Sequence, residues 1–359
     1  MNPLLMPEQR NILIYRLGSL GDTVMALPAF NLIKEKFKSD KLYLLTNKPV
    51  NSKAPLAAAI LGDGFNLCEV LTYPVGTRSP SVLLGLLRKI KSLNIDTVIN
   101  ITAYRSKKID SRDKLFFKAA GIRHLIGFDQ NVGEIQINPK TGKTTWEAER
   151  IAARIKELGK IDLNLDSYWN FHFSEVELND ARNALGVHVL SGQLVAINAG
   201  TKMKQKEWGL ENWQRFMRKL FILLPEAKLI FVGAPDEYDF SEKCLASWKG
   251  AGLNLCGRTS PRVAAAIIKK CVLFIGHDSG PMHLAGAVNT PVLGIFSCRN
   301  IPDQWVPRGD NKVLLFPDTD CARSTDPECK NAPDYCVKTI SPERVERELV
   351  SLLQKICVV

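Results

Sequence analysis

The chain has 359 residues, of which 45% are hydrophobic, and it carries a formal net charge of +11 at pH 7. This length predicts about two domains with sizeable cores. Apolar runs such as 272–275 and 291–296 are far shorter than the roughly 20 residues that span a bilayer, so we expect no transmembrane helix.

The first ten residues and the cysteines indicate the compartment. The segment MNPLLMPEQR lacks the basic region and the long apolar core of a signal peptide. Nine cysteines, an odd number, are scattered along the chain, which is typical of free thiols in a reducing compartment. We therefore expect a cytoplasmic protein.

The positive charge is concentrated in the first half of the chain. Residues 1–170 hold 25 basic and 16 acidic residues, whereas 171–359 hold 23 and 21. The excess is greatest at 101–123, with seven basic and two acidic residues. Such a segment predicts an anionic partner, which could be a phosphorylated glycan, a nucleic acid or an acidic membrane surface. A solvated basic face is the alternative.

Strand-like and helix-like segments alternate along the whole chain, which predicts an α/β protein with parallel sheets. In the first half we predict strands at 11–16, 41–46, 96–101 and 125–128, and helices near 24–37, 80–93, 112–120 and 146–159. In the second half we predict strands at 194–199, 227–233, 272–277 and 291–296, and helices near 210–223, 236–249, 260–270, 280–288 and 341–356.

Each half has the pattern of a doubly wound domain, and the join lies around 160–192. We therefore assign 1–170 to an N-terminal domain and 190–340 to a C-terminal domain. The last helix, 341–356, could pack back on the first domain.

The first strand leads into a glycine turn, NILIYRLGSLGDTVMALPAF, at 11–30. Open α/β sheets bind ligands at such turns, outside the carboxyl ends of their strands. Gly18 and Gly21 permit a tight turn and leave room for a ligand. Asp22 then stands at the start of a helix, where it could cap free N–H groups or act as a catalytic base.

A second turn of the same kind is IGHDSGPMHLA at 275–285. Asp278, Ser279 and Gly280 stand between strand and helix, so free N–H groups and the positive end of the helix dipole predict a phosphate or pyrophosphate site. His283, in the first turn, could approach the same anion. The alternative is a capped helix with a buried histidine, and His277 suits a structural or a functional role equally.

Two further segments follow predicted strands. In NAGTKMKQKEWGLENW, at 198–213, Lys202, Lys204 and Lys206 could neutralise a diphosphate or could be solvated. In FVGAPDE, at 231–237, the acidic residues could bind ribose hydroxyls, although helix capping is the better interpretation.

Other chemistries lack sequence support. The chain has no G-x-G-x-x-G after the first strand, no P-loop and no G-x-S-x-G elbow. The basic segment lacks interleaved aromatic residues, so nucleic-acid binding is disfavoured. We see no convincing metal site. The spacing of Cys321, Cys329 and Cys336 favours plain reduced cysteines over a metal site or a disulfide.

Three segments together resemble glycosyltransferase family 9, the ADP-heptose:lipopolysaccharide heptosyltransferases and their relatives. They are RLGSLGDTVMALPAF, KEWGLENW and GHDSGPMHLAGAVNTPVLGIF, in the family's order and spacing. The resemblance extends from about Asn11 to the last helix. It implies the GT-B fold, in which two Rossmann-like domains face each other across a cleft. The N-terminal domain would bind the acceptor and the C-terminal domain the nucleotide sugar.

The resemblance also implies roles for individual residues. Asp22 matches the family's catalytic base, and Lys206 matches the lysine that meets the donor diphosphate. We expect an inverting transfer that needs no metal and no cofactor. The expected donor-binding residues are Thr201, Lys202, Lys206, Asp278, Ser279, Gly280 and His283. The expected acceptor-binding residues are Gly18, Ser19, Gly21, Arg105, Lys107, Lys108 and Arg112.

The implied partners are a nucleotide-sugar donor, by default ADP-heptose, an anionic glycolipid acceptor of lipopolysaccharide core, and the cytoplasmic surface of the inner membrane. Gly209 replaces the family's common proline, and the basic stretch 203–205 leaves another donor sugar open. Two alternatives remain: a sugar-nucleotide epimerase of similar fold, and a non-catalytic protein that binds nucleotide sugars or anionic glycans.

Overall fold

The computed structural model describes residues 9–48, 57–128, 144–186, 192–298, 303–318 and 336–357. They form two compact units. The first contains the described residues of 9–128 and 145–172, and the second contains Thr144 and the described residues from Phe173 onward. Each unit is built on one parallel sheet flanked by helices, which confirms the prediction of an α/β chain with two doubly wound units.

The sheet of the first unit has the strand order β3-β2-β1-β4-β5. Its strands are β1 (Asn11–Tyr15), β2 (Lys41–Asn47), β3 (Leu67–Tyr73), β4 (Thr97–Asn100) and β5 (His124–Ile126). The helices are α1 (Leu20–Met25), α2 (Leu27–Lys36), α3 (Ala58–Leu61), α4 (Pro80–Ser92), α5 (Lys107–Ala119) and α6 (Glu147–Arg154).

Two details of this unit differ from the sequence prediction. The helix predicted at 24–37 is two helices, α1 and α2, and Pro28 lies in the first turn of the second. Proline lacks an N–H group, so it fits a helix start better than a helix interior. Helix α5 begins at Lys107 and not near 112, because the Oγ of Ser106 accepts a hydrogen bond from the Ile109 N–H at 3.2 Å.

The sheet of the second unit has the order β11-β10-β9-β6-β7-β8. Its strands are β6 (Leu194–Asn198), β7 (Lys228–Phe231), β8 (Gly252–Asn254), β9 (Leu273–His277), β10 (Val292–Ile295) and β11 (Lys312–Leu315). The helices are α7 (Glu175–Leu185), α8 (Leu210–Leu223), α9 (Tyr238–Leu245), α10 (Pro261–Ile268), α11 (Gly280–Ala287) and α12 (Pro342–Lys355).

The last helix, α12, packs in the second unit. Leu349 and Leu352 are buried in the core that covers one face of this sheet. On the surface, the Nζ of Lys219 in α8 lies 2.7 Å from the Oε2 of Glu346 in α12. No helix within the described ranges is long and apolar enough to cross a membrane.

Candidate functional site

Asp22 is the third residue of α1, and its carboxylate folds back onto the residue before the helix. Its Oδ2 accepts hydrogen bonds from the Ser19 N–H at 2.7 Å and from the Ser19 Oγ at 2.6 Å. Among the described residues, no hydrogen bond reaches Oδ1. The carboxylate therefore caps the helix with one oxygen and leaves the other available to a ligand.

Gly18 makes this arrangement possible. Its φ is +144°, and a Cβ built there would lie 2.4 Å from the Asp22 Cβ and 2.7 Å from the Asp22 Cγ. Its N–H donates to the Asn47 Oδ1 at 2.8 Å, which ties the turn to the end of β2. The sequence predicted that the glycines make room for an acceptor; at Gly18 the space is taken by the Asp22 side chain.

Arg16 lies behind the same turn and was missed by the sequence analysis. Its guanidinium is fully buried and donates to the Ile101 carbonyl at 2.7 Å and to the carbonyl of Asp22. Burial lowers the pKa of Arg16, and the charges of Asp22 and Glu147 oppose that effect. A charged residue directly after an apolar strand was the available signal.

The basic segment begins at the same edge of the sheet as Asp22. Strand β4, which leads into it, pairs with β1 so that Tyr15 is level with Asn100. Lys107 and Lys108 are exposed in the first turn of α5, and helix N-termini in such units lie at the carboxyl ends of the strands. The structure therefore brings these cations to the edge that carries Asp22.

Arg105 and Arg112 are partly neutralised by an internal partner. Arg105 Nη2 lies 2.7 Å from the Asp113 Oδ2, and Arg112 Nη2 lies 2.6 Å from the Asp113 Oδ1. The Tyr15 hydroxyl donates to the same carboxylate at 3.1 Å. The Arg105 side chain is 30% exposed and that of Arg112 is 65% exposed, so Arg112 is the more accessible of the two.

In the second unit, the turn between β9 and α11 leaves the helix N-terminus uncapped by any described side chain. Ser279 is the N-cap residue, but its Oγ donates to the Asn198 Oδ1 at 2.7 Å and makes no cap hydrogen bond. Pro281, in the first turn, contributes no N–H group. Within the described part of the chain, the first N–H groups of α11, including that of Gly280, therefore have no side-chain cap and suit an anion.

Lys206 is held beside this helix N-terminus. Its Nζ hydrogen-bonds the Asp278 carboxylate and lies 3.5 Å from the Asp278 carbonyl oxygen. The side chains are 18% and 6% exposed, respectively. The Nε2 of His283 lies 3.9 Å from the other Asp278 oxygen. Lys206, Asp278 and His283 thus form one cluster.

The remaining predicted donor residues, Thr201 and Lys202, lie earlier in the loop that ends at Trp208. Thr201 Oγ1 accepts from the Met203 N–H at 3.3 Å, and Lys202 is exposed. We call residues 200–208 the 200–208 loop; it carries Lys206 to the cluster.

His277, which the sequence left open, holds both ends of the 200–208 loop. Its ring is fully buried; Nδ1–H donates to the Gly200 carbonyl at 3.2 Å, and Nε2 accepts from the Trp208 N–H at 3.1 Å. Burial lowers the pKa of His277 to about 4. The imidazole is therefore neutral near pH 7 and acts as an internal support.

Glu237 confirms the predicted capping role in the 231–237 segment. Its Oε2 accepts from the Ala234 N–H at 3.0 Å and from the Asn198 Nδ2 at 3.2 Å. A Cβ at Gly233 would lie 2.2 Å from that oxygen, so the glycine makes room for the carboxylate. Burial raises the pKa of Glu237.

Of the three loop cysteines predicted to be reduced, only Cys336 lies within the described residues. Among the described residues, no group of three or more histidine, cysteine or acidic side chains could hold a metal ion. Cys321 and Cys329 lie outside the described residues. The Cys336 Sγ accepts a hydrogen bond from the Cys298 N–H at 3.4 Å. The expected reduced state of the three loop cysteines stays a prediction.

Known proteins resemble this chain over nearly its whole length. A lipooligosaccharide heptosyltransferase 2 of Campylobacter jejuni is 22% identical over 93% of this chain and 96% of its own. A family 9 glycosyltransferase structure from Veillonella parvula has a TM-score of 0.71 at 19% identity, covering 98% of this chain and 99% of that one. The Escherichia coli heptosyltransferase WaaC with ADP-2-deoxy-2-fluoro heptose has a TM-score of 0.63 at 13% identity, covering 95% and 99%.

The family itself follows from a direct match. The sequence model of glycosyltransferase family 9 (heptosyltransferase) matches residues 86–333, which is more than half of the chain. The two parallel sheets and the similar solved structures agree with the GT-B fold of that family. The chain therefore belongs to glycosyltransferase family 9 and is a glycosyltransferase.

Proposed function

We propose that this enzyme transfers a heptose from ADP-heptose to a hydroxyl of lipopolysaccharide core or a related envelope glycan, with inversion at the anomeric carbon. The observation that carries the proposal is the pair of strand–turn–helix sites, one with an available carboxylate oxygen and one with an open helix N-terminus beside Lys206. The substrates named for similar proteins, lipooligosaccharide and an ADP-heptose analogue, support the choice of acceptor and donor.

Asp22 is the proposed general base. Its Oδ1 would accept the proton of the acceptor hydroxyl while the hydroxyl oxygen forms the new bond to the anomeric carbon. The two hydrogen bonds from Ser19 to Oδ2 fix the carboxylate, so that little freedom is lost when the acceptor binds. A direct displacement needs only this one carboxylate and forms no covalent intermediate. Because the acceptor oxygen attacks from the face opposite the leaving diphosphate, the anomeric configuration is inverted.

The second unit would stabilise the departing ADP. As the bond between the anomeric carbon and the diphosphate oxygen breaks, negative charge grows on that oxygen. Lys206, His283 and the first N–H groups of α11 would meet this charge. Asp278 holds the Lys206 ammonium at the helix N-terminus, and Thr201 and Lys202 supply further polar groups from the 200–208 loop.

The basic edge of the first unit suits an anionic glycolipid. Lys107 and Lys108 are exposed at the start of α5, and Arg112 is largely exposed. Val75, in the loop between β3 and α4, and Leu84, in α4, are also exposed. Cations and exposed apolar side chains together favour contact with an anionic membrane surface. We therefore place the enzyme at the cytoplasmic face of the inner membrane, as a peripheral protein.

A product assay tests the proposal. The enzyme is incubated with ADP-heptose, with and without a core oligosaccharide that lacks its terminal heptose, and the products are identified by mass spectrometry and NMR. We expect ADP and an acceptor extended by one heptose of inverted configuration, only when the acceptor is present. Conversion of the nucleotide sugar into an epimeric nucleotide sugar without an acceptor would indicate an epimerase and contradict the proposal. A panel of other nucleotide sugars tests the choice of heptose.

A further inference from the structure

The 200–208 loop depends on one buried side chain for its shape. It leaves the sheet after β6 and returns at Trp208, just before α8. Between these ends it makes only a short helical turn, 204–206, and it carries Lys206 to Asp278. The loop has little regular structure of its own, so the position of Lys206 depends on how the two ends are held.

The imidazole of His277 contacts both ends. Nδ1–H donates to the Gly200 carbonyl, where the loop begins, and Nε2 accepts from the Trp208 N–H, where it ends. The ring itself is fixed in the core. It packs edge-on to the Trp213 ring, with 5.5 Å between the ring centroids. Trp208 is itself anchored, because its Nε1–H donates to the Ile340 carbonyl at 2.7 Å.

We propose that His277 is a positioning residue for the donor diphosphate: its neutral imidazole ties Gly200 to Trp208 and so keeps Lys206 at the N-terminus of α11. This inference rests on the proposed function, because it assumes that Lys206 meets the diphosphate. His277 itself touches no substrate in this account and acts through the backbone of the loop.

The two hydrogen bonds require one protonation state. An imidazolium would present a second N–H group to the Trp208 N–H, and that contact would be lost. Burial has the largest effect and lowers the pKa of His277 to about 4. Two charged groups lie near the ring: Asp278 raises this pKa and Lys206 lowers it. The neutral form therefore persists through the pH range in which the enzyme would work.

Three variants of the full chain test the inference. H277L removes both hydrogen bonds, and H277Q keeps one donor and one acceptor. N254A is the matched control, because Asn254 is also buried and joins two backbone groups, through Nδ2 to Tyr238 at 3.0 Å and through Oδ1 to Cys256 at 3.1 Å. ADP affinity is measured by calorimetry, and amide hydrogen exchange is followed over 201–207.

For H277L we expect an ADP Kd raised about tenfold and faster exchange in the 200–208 loop, since two hydrogen bonds that shape the loop are gone. H277Q should recover most of the affinity, and N254A should change neither reading. The inference is overturned if H277L exchanges like the wild type, or if N254A loosens the loop as much. Wild-type protein that fails to bind ADP would refute the proposed donor instead, while the exchange comparison would still test the loop.

Discussion

The turns at Asp22 and at Asp278 share one architecture but use their acidic residue differently. Both follow a buried parallel strand, β1 or β9, and both lead directly into a helix. Asp22 lies inside the first turn of α1 and folds back on Ser19. Asp278 lies before the N-cap residue and pairs with Lys206, and no described side chain caps the N-terminus of α11.

This difference of position separates the two chemistries. A carboxylate within the first helical turn can accept from a free N–H group, as Asp22 does from the Ser19 N–H, and its negative charge disfavours a second anion there. A carboxylate before the cap leaves those groups open, and here it also holds a cation beside them. The first turn therefore suits a base and the second suits a diphosphate, although both look like ligand turns in the sequence.

The largest effect is expected from D22N. The amide keeps the size of the side chain but cannot take a proton, so transfer should fall by roughly 10²- to 10⁴-fold. Initial rates at saturating donor and acceptor measure the loss, with the melting temperature as a check on folding. The control is D63N, an exposed acidic residue of the same unit. A D22N rate within a few-fold of the wild type would reduce Asp22 to a helix cap.

K206M tests the other side of the comparison. Loss of a charged hydrogen bond to the diphosphate should lower kcat/KM for the donor by roughly 10- to 100-fold, because such bonds contribute about 1.5 to 3 kcal/mol. The acceptor KM should stay unchanged. K204M is the matched control, since Lys204 is exposed two residues earlier. Equal losses in the two variants would contradict a specific role for Lys206.

The buried imidazole of His277, which supports the 200–208 loop, should make the free energy of unfolding depend on pH. The pKa of His277 is about 4 in the folded chain, against about 6.5 when unfolded, so the unfolded chain binds more protons between these values. The stabilisation is therefore complete above pH 6.5 and is lost as the pH falls towards 4.

Urea unfolding at pH 7 and pH 5 measures this effect. The fall in unfolding free energy between the two should be about 2 kcal/mol smaller in H277Q than in the wild type, because the variant lacks the titrating group. The same fall in both proteins would show that His277 is not held neutral.

The smallest effect is expected at the basic edge of the first unit. K107E/K108E should raise the acceptor KM several-fold, and more at low salt, because exposed charges act through a screened field. The donor KM should not change. K118E is the control, as Lys118 is exposed in the last turn of the same helix. An unaltered acceptor KM would leave the basic segment as a solvated face.

The sequence predicts the buried elements well and the edges poorly. Strand β6 and helix α8 lie within a residue of their predicted bounds, because long apolar runs and helical periodicity specify them. Strand β3 was missed, since Leu67–Tyr73 is mostly half-exposed and includes Glu69. Helix α7 was also missed, because 175–185 is a polar stretch within the predicted join.

The site divides in the same way. Asp22, Lys206 and the 278–283 turn could be proposed as candidates because each stands near a strand end, and the family resemblance implied their roles. The roles of Arg16 and His277 could not, since they depend on partners far along the chain. Arg16 reaches the carbonyl of Ile101, and His277 reaches Trp208, 69 residues away. Tertiary folding creates these contacts, so a local signal such as the charge after β1 can mark Arg16 but cannot name its partners.

The most direct test of the division between the two turns is calorimetric titration of ADP into D22N and K206M. We predict that D22N binds ADP with the wild-type Kd although it has lost transfer, and that K206M binds ADP at least tenfold more weakly. Loss of ADP affinity in D22N, or wild-type affinity in K206M, would contradict the assignment of the base to the first unit and of the diphosphate to the second.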